Sequence, residues 1–247
     1  MYTGIDILRV NMSEPVSLPP IESEDGKTSV ESIQDEVIRR ICFLDYPPGS
    51  QLKEAELAKE FGVSRTPVRD AISRIKHLGL VETRNGVGTV VTALPREQIE
   101  HVYEMRLQLA TLIGTMSPPP VTEHDLTRIK DLLNAAIALE HEFDARRYVE
   151  LNDQLQILIA DLIGNSLLRS FWRQAYFQAA STWYSVASMA GADVATSLVQ
   201  ELKEIKAALV QGDMAAVGFI QRVQIGYGYQ RIMQHLFSDE GDASDGS

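Results

Sequence analysis

Arg65 and Arg69 stand four residues apart in a stretch whose apolar residues recur at helical spacing. On a helix that separation puts them about one turn apart on the same face. Each guanidinium is a planar, permanently charged fork that matches the O6/N7 edge of guanine or a phosphate. On a helical wheel for residues 65–79, at about 100° per residue, Thr66, Ser73 and Lys76 join the two arginines. Val68, Ala71, Ile72, Ile75 and Leu78 form the adjacent apolar stripe. The chemistry on offer is non-covalent reading of base edges by the first turns of a helix in the major groove. Two arginines alone more often belong to an ordinary solvated face, or to ion pairs with Asp70 and Glu82. The surrounding elements decide between these readings.

Upstream, Val30, Ile33, Val37, Ile38, Ile41 and Leu44 have helical spacing, and Tyr46-Pro47-Pro48-Gly49 ends that helix. Ala55, Leu57, Ala58 and Phe61 mark a second, short helix stopped by Gly62. Ser64 is placed to cap the third, Pro67 fits its first turn, and Gly79 follows its end. Two β-prone runs, Leu80–Thr83 and Thr89–Thr92, flank Arg84-Asn85-Gly86-Val87-Gly88, and Asn-Gly between such runs signals a hairpin. Helix, helix, turn, helix, hairpin is the order of a winged helix-turn-helix. The hairpin tip, with Arg84, Asn85 and Gly86, would approach the minor groove or backbone.

The chain of 247 residues has 23 Lys and Arg against 34 Asp and Glu, a net charge of −11. That excess argues against indiscriminate coating of nucleic acid. Residues 28–95 are neutral, with nine charges of each sign, but 63–85 hold five basic residues against two acidic. A local basic patch on an acidic protein fits one defined phosphate contact. The single cysteine, Cys42, excludes an internal disulfide and any cysteine-based zinc cluster, and its place in a helical pattern reads as a small buried hydrophobe rather than a redox sensor. No apolar run reaches membrane-span length and no secretory signal is visible, so the expected location is cytoplasmic with no membrane partner.

Residues 1–27 read as a mobile arm and 238–247 as a disordered acidic tail. Residues 28–95 form the expected DNA-binding domain, with a junction at Ala93–Arg96. From 96 to 237 the pattern is helical, with helices expected at about 96–116, 123–142, 144–163, 166–189, 193–211 and 213–237. Their short connections imply antiparallel neighbours. The expected fold is therefore mainly α: a winged helix-turn-helix of three helices and a small β-hairpin, then an all-α antiparallel helical bundle. Trp172, Tyr176, Phe177, Trp183 and Tyr184 look like a cofactor box, but aromatics at helical spacing more often build a core, and some would line a ligand cavity.

The run Leu52-Lys53-Glu54-Ala55-Glu56-Leu57-Ala58-Lys59-Glu60-Phe61-Gly62-Val63-Ser64-Arg65-Thr66-Pro67-Val68-Arg69-Asp70-Ala71-Ile72 closely resembles the DNA-binding signature of GntR-family regulators. Pro47-Pro48-Gly49-Ser50 and Gly79-Leu80-Val81 fit as well, and the match covers about residues 28–92. The helical remainder resembles the FCD effector domain of the FadR-type subfamily in helix count, spacing and Gly164-Asn165-Ser166-Leu167-Leu168. The resemblance implies that Arg65, Thr66 and Arg69 contact bases or nearby phosphates and that Gly86 approaches the groove. Relatives carry a basic residue where Ala55 stands, and Lys53 is the available substitute.

Many such domains hold a divalent metal with one Asp and three His. Aligned on Gly164-Asn165 and Gly212-Asp213, those positions are Asn152, Gln156, Leu202 and Gln224. His101, His124, His141 and His235 are scattered, without an i,i+4 pair. A transition-metal site needs imidazole, thiolate or carboxylate, so neither metal nor cofactor is expected. Asn152, Gln156 and Gln224 can instead hydrogen-bond an organic effector. Arg106 matches an arginine of relatives and suits a carboxylate. The alternative is that the amides are solvated flanks and Arg106 bridges to Glu104 or to a neighbouring helix.

The expected function is a DNA-binding transcriptional regulator, repression being commoner among lookalikes. It would act as a homodimer on a palindromic double-stranded operator, controlled by a small metabolite such as a carboxylate. The alternative is an effector-independent DNA-binding dimer. No Gly-rich phosphate loop, His-Glu-x-x-His or Gly-x-Ser-x-Gly motif supports an enzyme, and clustered arginines disfavour a pure protein-interaction module.

Overall fold

A computed structural model of the protein describes residues 29–237. The arm expected at 1–27 and the tail expected at 238–247 lie outside the described residues.

Helix α1 (Val30–Cys42) opens with a capping box in which the Ser29 hydroxyl accepts from the Ser32 amide and the Ser29 amide donates to the Ser32 hydroxyl. Arg40 on α1 pairs with Glu36 and with Glu60 of α2 (Glu54–Glu60), each at 2.6 Å, tying the two helices. Helix α3 (Arg65–His77) packs on both, with Val68, Ala71, Ile72 and Ile75 buried. Ser64 occupies the N-cap position, but its side chain makes no capping hydrogen bond, contrary to the expectation. A cap is worth about 1 kcal/mol. Val68, Ile72 and Ile75, at about 1.5–3 kcal/mol each when fully buried, hold the helix without it.

Strand β1 (Gln51–Leu52) was not legible at two residues; it pairs with β3 (Gly88–Val91), which pairs with β2 (Val81–Arg84) in an antiparallel sheet of order β1-β3-β2. The wing joins β2 to β3 through three residues, not the two of an Asn-Gly hairpin. The Val87 amide donates to the Arg84 carbonyl at 3.1 Å, and Arg84 lies opposite Gly88. Gly86 takes φ +77°, a conformation open to glycine at little cost.

After the connection at 92–95 come α4 (Arg96–Leu112), α5 (Glu123–His141), α6 (Ala145–Asp161), α7 (Ser166–Ala190), α8 (Asp193–Gln211) and α9 (Met214–Leu236). Thr122 and Asp125 form the capping box expected at the start of α5. Helix α4 stops before the expected end at 116, because Ile113 turns to extended geometry (ψ 126°). Short connections predict that chain neighbours lie side by side. That holds for α5–α6, α6–α7 and α8–α9, whereas α4 packs on α9 and α7, and α5 also on α8.

The two halves meet along α7. Gln178 donates to the Leu78 carbonyl at the end of α3 (2.9 Å), and Tyr184 stands edge-on to Phe43 at the end of α1 (6.0 Å between centroids). Arg146 of α6 pairs with Asp45 at 3.4 Å.

Candidate DNA interface and effector core

The outward face of α3 carries Arg65, Thr66, Arg69, Ser73 and Lys76, all exposed, opposite the buried stripe. Arg65 makes no ion pair among the described residues. Arg69 pairs with Glu54 of α2 at 3.1 Å, rather than with Asp70 or Glu82. Lys76 donates to the Thr83 hydroxyl at 3.0 Å, which joins the helix face to the wing. Arg84 folds back onto Glu82 at 2.8 Å, and Lys53 onto Glu56 at 2.8 Å. Asn85 and Gly86 are exposed at the wing tip, and so is Ala55 on α2. Gln51, which the sequence reading does not single out, donates to the Val87 carbonyl and braces the wing. Exposed ion pairs are weak and screened by salt, so these guanidiniums can exchange a carboxylate for a phosphate or a base.

The predicted effector residues are only partly brought together. Arg106 is 8% exposed and makes no ion pair among the described residues, neither with Glu104 nor with a neighbouring helix. Its guanidinium lies over the rings of Tyr103 (5.2 Å) and Tyr176 (5.9 Å). The Tyr176 hydroxyl is 2.7 Å from Asp153 and 2.6 Å from the Tyr184 hydroxyl, to which Asn152 donates at 3.3 Å. The protons order themselves in one direction: Asn152 to Tyr184, Tyr184 to Tyr176, Tyr176 to Asp153. Burial raises the Asp153 carboxyl above its usual range and both phenols well above theirs. Gln156 is buried with its Oε1 unpartnered, so it is not a solvated flank. Gln224 is half-exposed and hydrogen-bonds none of the others; the buried amide of α9 is Gln221, one turn earlier.

Gln221 donates to Glu201 of α8 at 2.7 Å, and its own Oε1 has no partner. Glu201 is also buried, which pushes its carboxyl up to about 7 despite the Gln221 hydrogen bond and the charge of Arg106. The sequence held a signal for both. Glu201 interrupts the apolar row Leu198, Leu202, Ile205, and Gln221 interrupts Val217, Ile225. Trp172, Tyr176 and Tyr184 are buried core aromatics, with Phe177 and Trp183 partly buried beside them.

The positions aligned with the family metal do not fit one. Leu202 is a fully buried aliphatic side chain, the Asn152 amide is committed to Tyr184, and Gln224 is half-exposed. No cluster of three or more His, Cys, Asp or Glu placed to hold a metal ion occurs among the described residues. A groove of about 310 Å³ between α5 and α6, lined by Arg128, Asp131, Arg147 and Gln154 among others, shares no residue with the polar core.

Residues 29–91 match the model of bacterial regulatory proteins of the gntR family, and 101–219 match the FCD domain. The chain belongs to the gntR family. Its FCD half accounts for the helical bundle and its winged half for the exposed arginine face. The GntR-family chain is 28% identical over 126 residues to the uncharacterized HTH-type regulator YdhC of Bacillus subtilis, 51% of this chain and 56% of that one. It is 28% identical over 220 residues to the uncharacterized HTH-type regulator Rv0494 of Mycobacterium tuberculosis, 80% and 85% of the two chains. The match to YdhC thus spans little more than half of that relative's length. A putative GntR regulator from Rhodococcus has the same fold, with a TM-score of 0.66 at 19% identity, over 83% of this chain and 98% of that one. E. coli McbR/YncC matches at 0.64 and 18%, over 82% and 97%. The family assignment places the chain among regulators rather than enzymes. No helix among the described residues is long and apolar enough to cross a membrane.

Proposed function

We propose that this chain is a cytoplasmic transcriptional repressor that binds a palindromic operator as a homodimer and releases it when a small organic effector, without a metal, enters the FCD core. One observation carries the DNA part: the row Arg65, Thr66, Arg69, Ser73 and Lys76 is exposed on a helix whose other face is anchored, and Lys76 links that row to a wing bearing Arg84, Asn85 and Gly86. Lys53 adds charge at its edge. A relative that is 31% identical over 99 residues, 40% of this chain and 44% of that one, is named a probable D-xylose utilization operon repressor, which supports the sign of regulation only. The effector part rests on the buried polar set around Arg106, Asn152 and Gln156. Gln224 is withdrawn from it in favour of Gln221.

The effector-independent reading has one observation in its favour: the described groove lies apart from that polar set. Unpartnered oxygens on Gln156 and Gln221 weigh against it, because a core that only dimerises has no use for unsatisfied acceptors. The test is operator selection from random duplexes, followed by anisotropy titrations with and without organic acids and a metal chelator. Selected sites without a repeated half-site count against the palindromic dimer. Unchanged affinity across all acids counts against effector control.

A further inference from the structure

Two opposite charges are buried in the helical core and kept out of contact. Arg106 on α4 and Glu201 on α8 are each 8% exposed, and Glu201 feels the charge of Arg106, yet no ion pair joins them. Each is instead held by a weaker neighbour: Arg106 by the faces of Tyr103 and Tyr176, Glu201 by the amide of Gln221. A buried charge without a counter-charge is costly, and direct contact between the two would relieve both. Beside Glu201, the Gln221 Oε1 is a buried acceptor with nothing to accept from. The unmet demand is therefore for an anion at Arg106 and for N–H donors at Glu201 and Gln221.

We propose that the effector is a zwitterion of the amino-acid class, whose carboxylate meets Arg106 and whose ammonium meets Glu201 and the Gln221 carbonyl oxygen. This rests on the effector-binding reading above and adds the second charge to it. An ammonium supplies three donors, enough for the Glu201 carboxylate and the orphaned Gln221 oxygen together. The groups around Glu201 agree. Gln221 of α9 touches it, Arg106 of α4 and Tyr148 of α6 are near enough to interact with it electrostatically, and Glu204 lies one turn along α8. No lysine is among them. With its carboxyl raised to about 7, Glu201 is partly protonated in the free protein near neutrality, and an ammonium beside it favours the carboxylate. Binding then releases a fraction of a proton.

The experiment is calorimetric titration of the full chain with three matched series: the proteinogenic amino acids, the corresponding 2-hydroxy acids and the corresponding amines. The expected result is that at least one amino acid binds while its hydroxy acid and amine do not, with proton release seen as a heat that depends on buffer. Glu201→Gln should weaken that amino acid by about thirtyfold or more, and Arg106→Gln similarly. Melting curves of both variants check that they fold. If a hydroxy acid binds as well as its amino acid, or if Glu201→Gln leaves affinity unchanged in a folded protein, the zwitterion proposal is overturned while effector control stands. Should no amino acid bind, the proposal also falls. Effector control itself fails only if no compound of any series alters operator affinity.

Discussion

The side-chain amide of Gln178 on α7 donates to the main-chain carbonyl of Leu78, the residue that ends α3. Gly79 follows at φ +79°, and a Cβ there would come within 2.6 Å of the Gln178 Nε2. The helical half thus holds α3 by its C-terminal end. A net hydrogen bond is worth about 0.5–1.5 kcal/mol, a sizeable share of the 1–3 kcal/mol typical of coupling between sites. Gln178→Ala should therefore leave operator binding nearly intact but loosen this seam. Faster amide hydrogen exchange at residues 78–81, with α1 unaffected, is the expected signature. Unchanged exchange would show that the bond does not hold the helix.

Arg69→Ala should weaken operator binding roughly 5- to 150-fold. Glu54→Gln should strengthen it, since Glu54 occupies Arg69 in the free protein. Titrations at several salt concentrations check both, and loss of a phosphate contact should lower the slope by about one. Equal affinities for wild type and Arg69→Ala would remove this residue from the interface.

Glu201 makes stability depend on pH. Its folded value, about 7, lies above its ordinary 4.5, so the folded state holds a proton that the unfolded chain has already released between those values. The contribution is fully present below about pH 4.5 and is lost as pH rises through about 7. The loss is about 3 kcal/mol. Glu201→Gln should flatten the melting temperature between pH 5 and 8 and should be the more stable form at pH 8. A parallel pH dependence in both proteins would contradict the buried carboxyl.

Phe219, Val223 and Tyr227 form an exposed apolar row along α9, spaced by four, each about half exposed or more. Such a row is costly to leave in water, and the homodimer proposed above would gain by covering it. Phe219→Glu with Tyr227→Glu should turn a dimer into a monomer in sedimentation and reduce affinity for a two-half-site operator far more than for one half-site.

The reading face was legible because it obeys local rules. A stripe at period 3.6, Pro67 in a first turn and Asn85-Gly86 between β-prone runs each act within a few residues. Ser64 shows the limit: it has the right type and position, yet its side chain makes no capping bond. The effector core was legible only in part. Arg106 and Asn152 are linked through Tyr176 and Tyr184, and Gln156 is buried one turn from Asn152, but Gln224 was chosen by alignment and is half-exposed. Glu201 and Gln221 break apolar rows and carried a local cue. Gln178 carried none, because its partner lies 100 residues away and depends on how two halves dock. The pairing of α4 with α9 was hidden for the same reason.

Cys42 is the single cysteine of the chain, and it lies at the end of α1, 2% exposed, near Asp153, Tyr176 and Tyr184 of the other half. Burial pushes its thiol pKa up, which keeps it unreactive while the halves stay docked. Its rate of alkylation is therefore a built-in clock for separation of reader and sensor, requiring no engineered label. Any ligand that slows or speeds that clock reports which way it moves the seam.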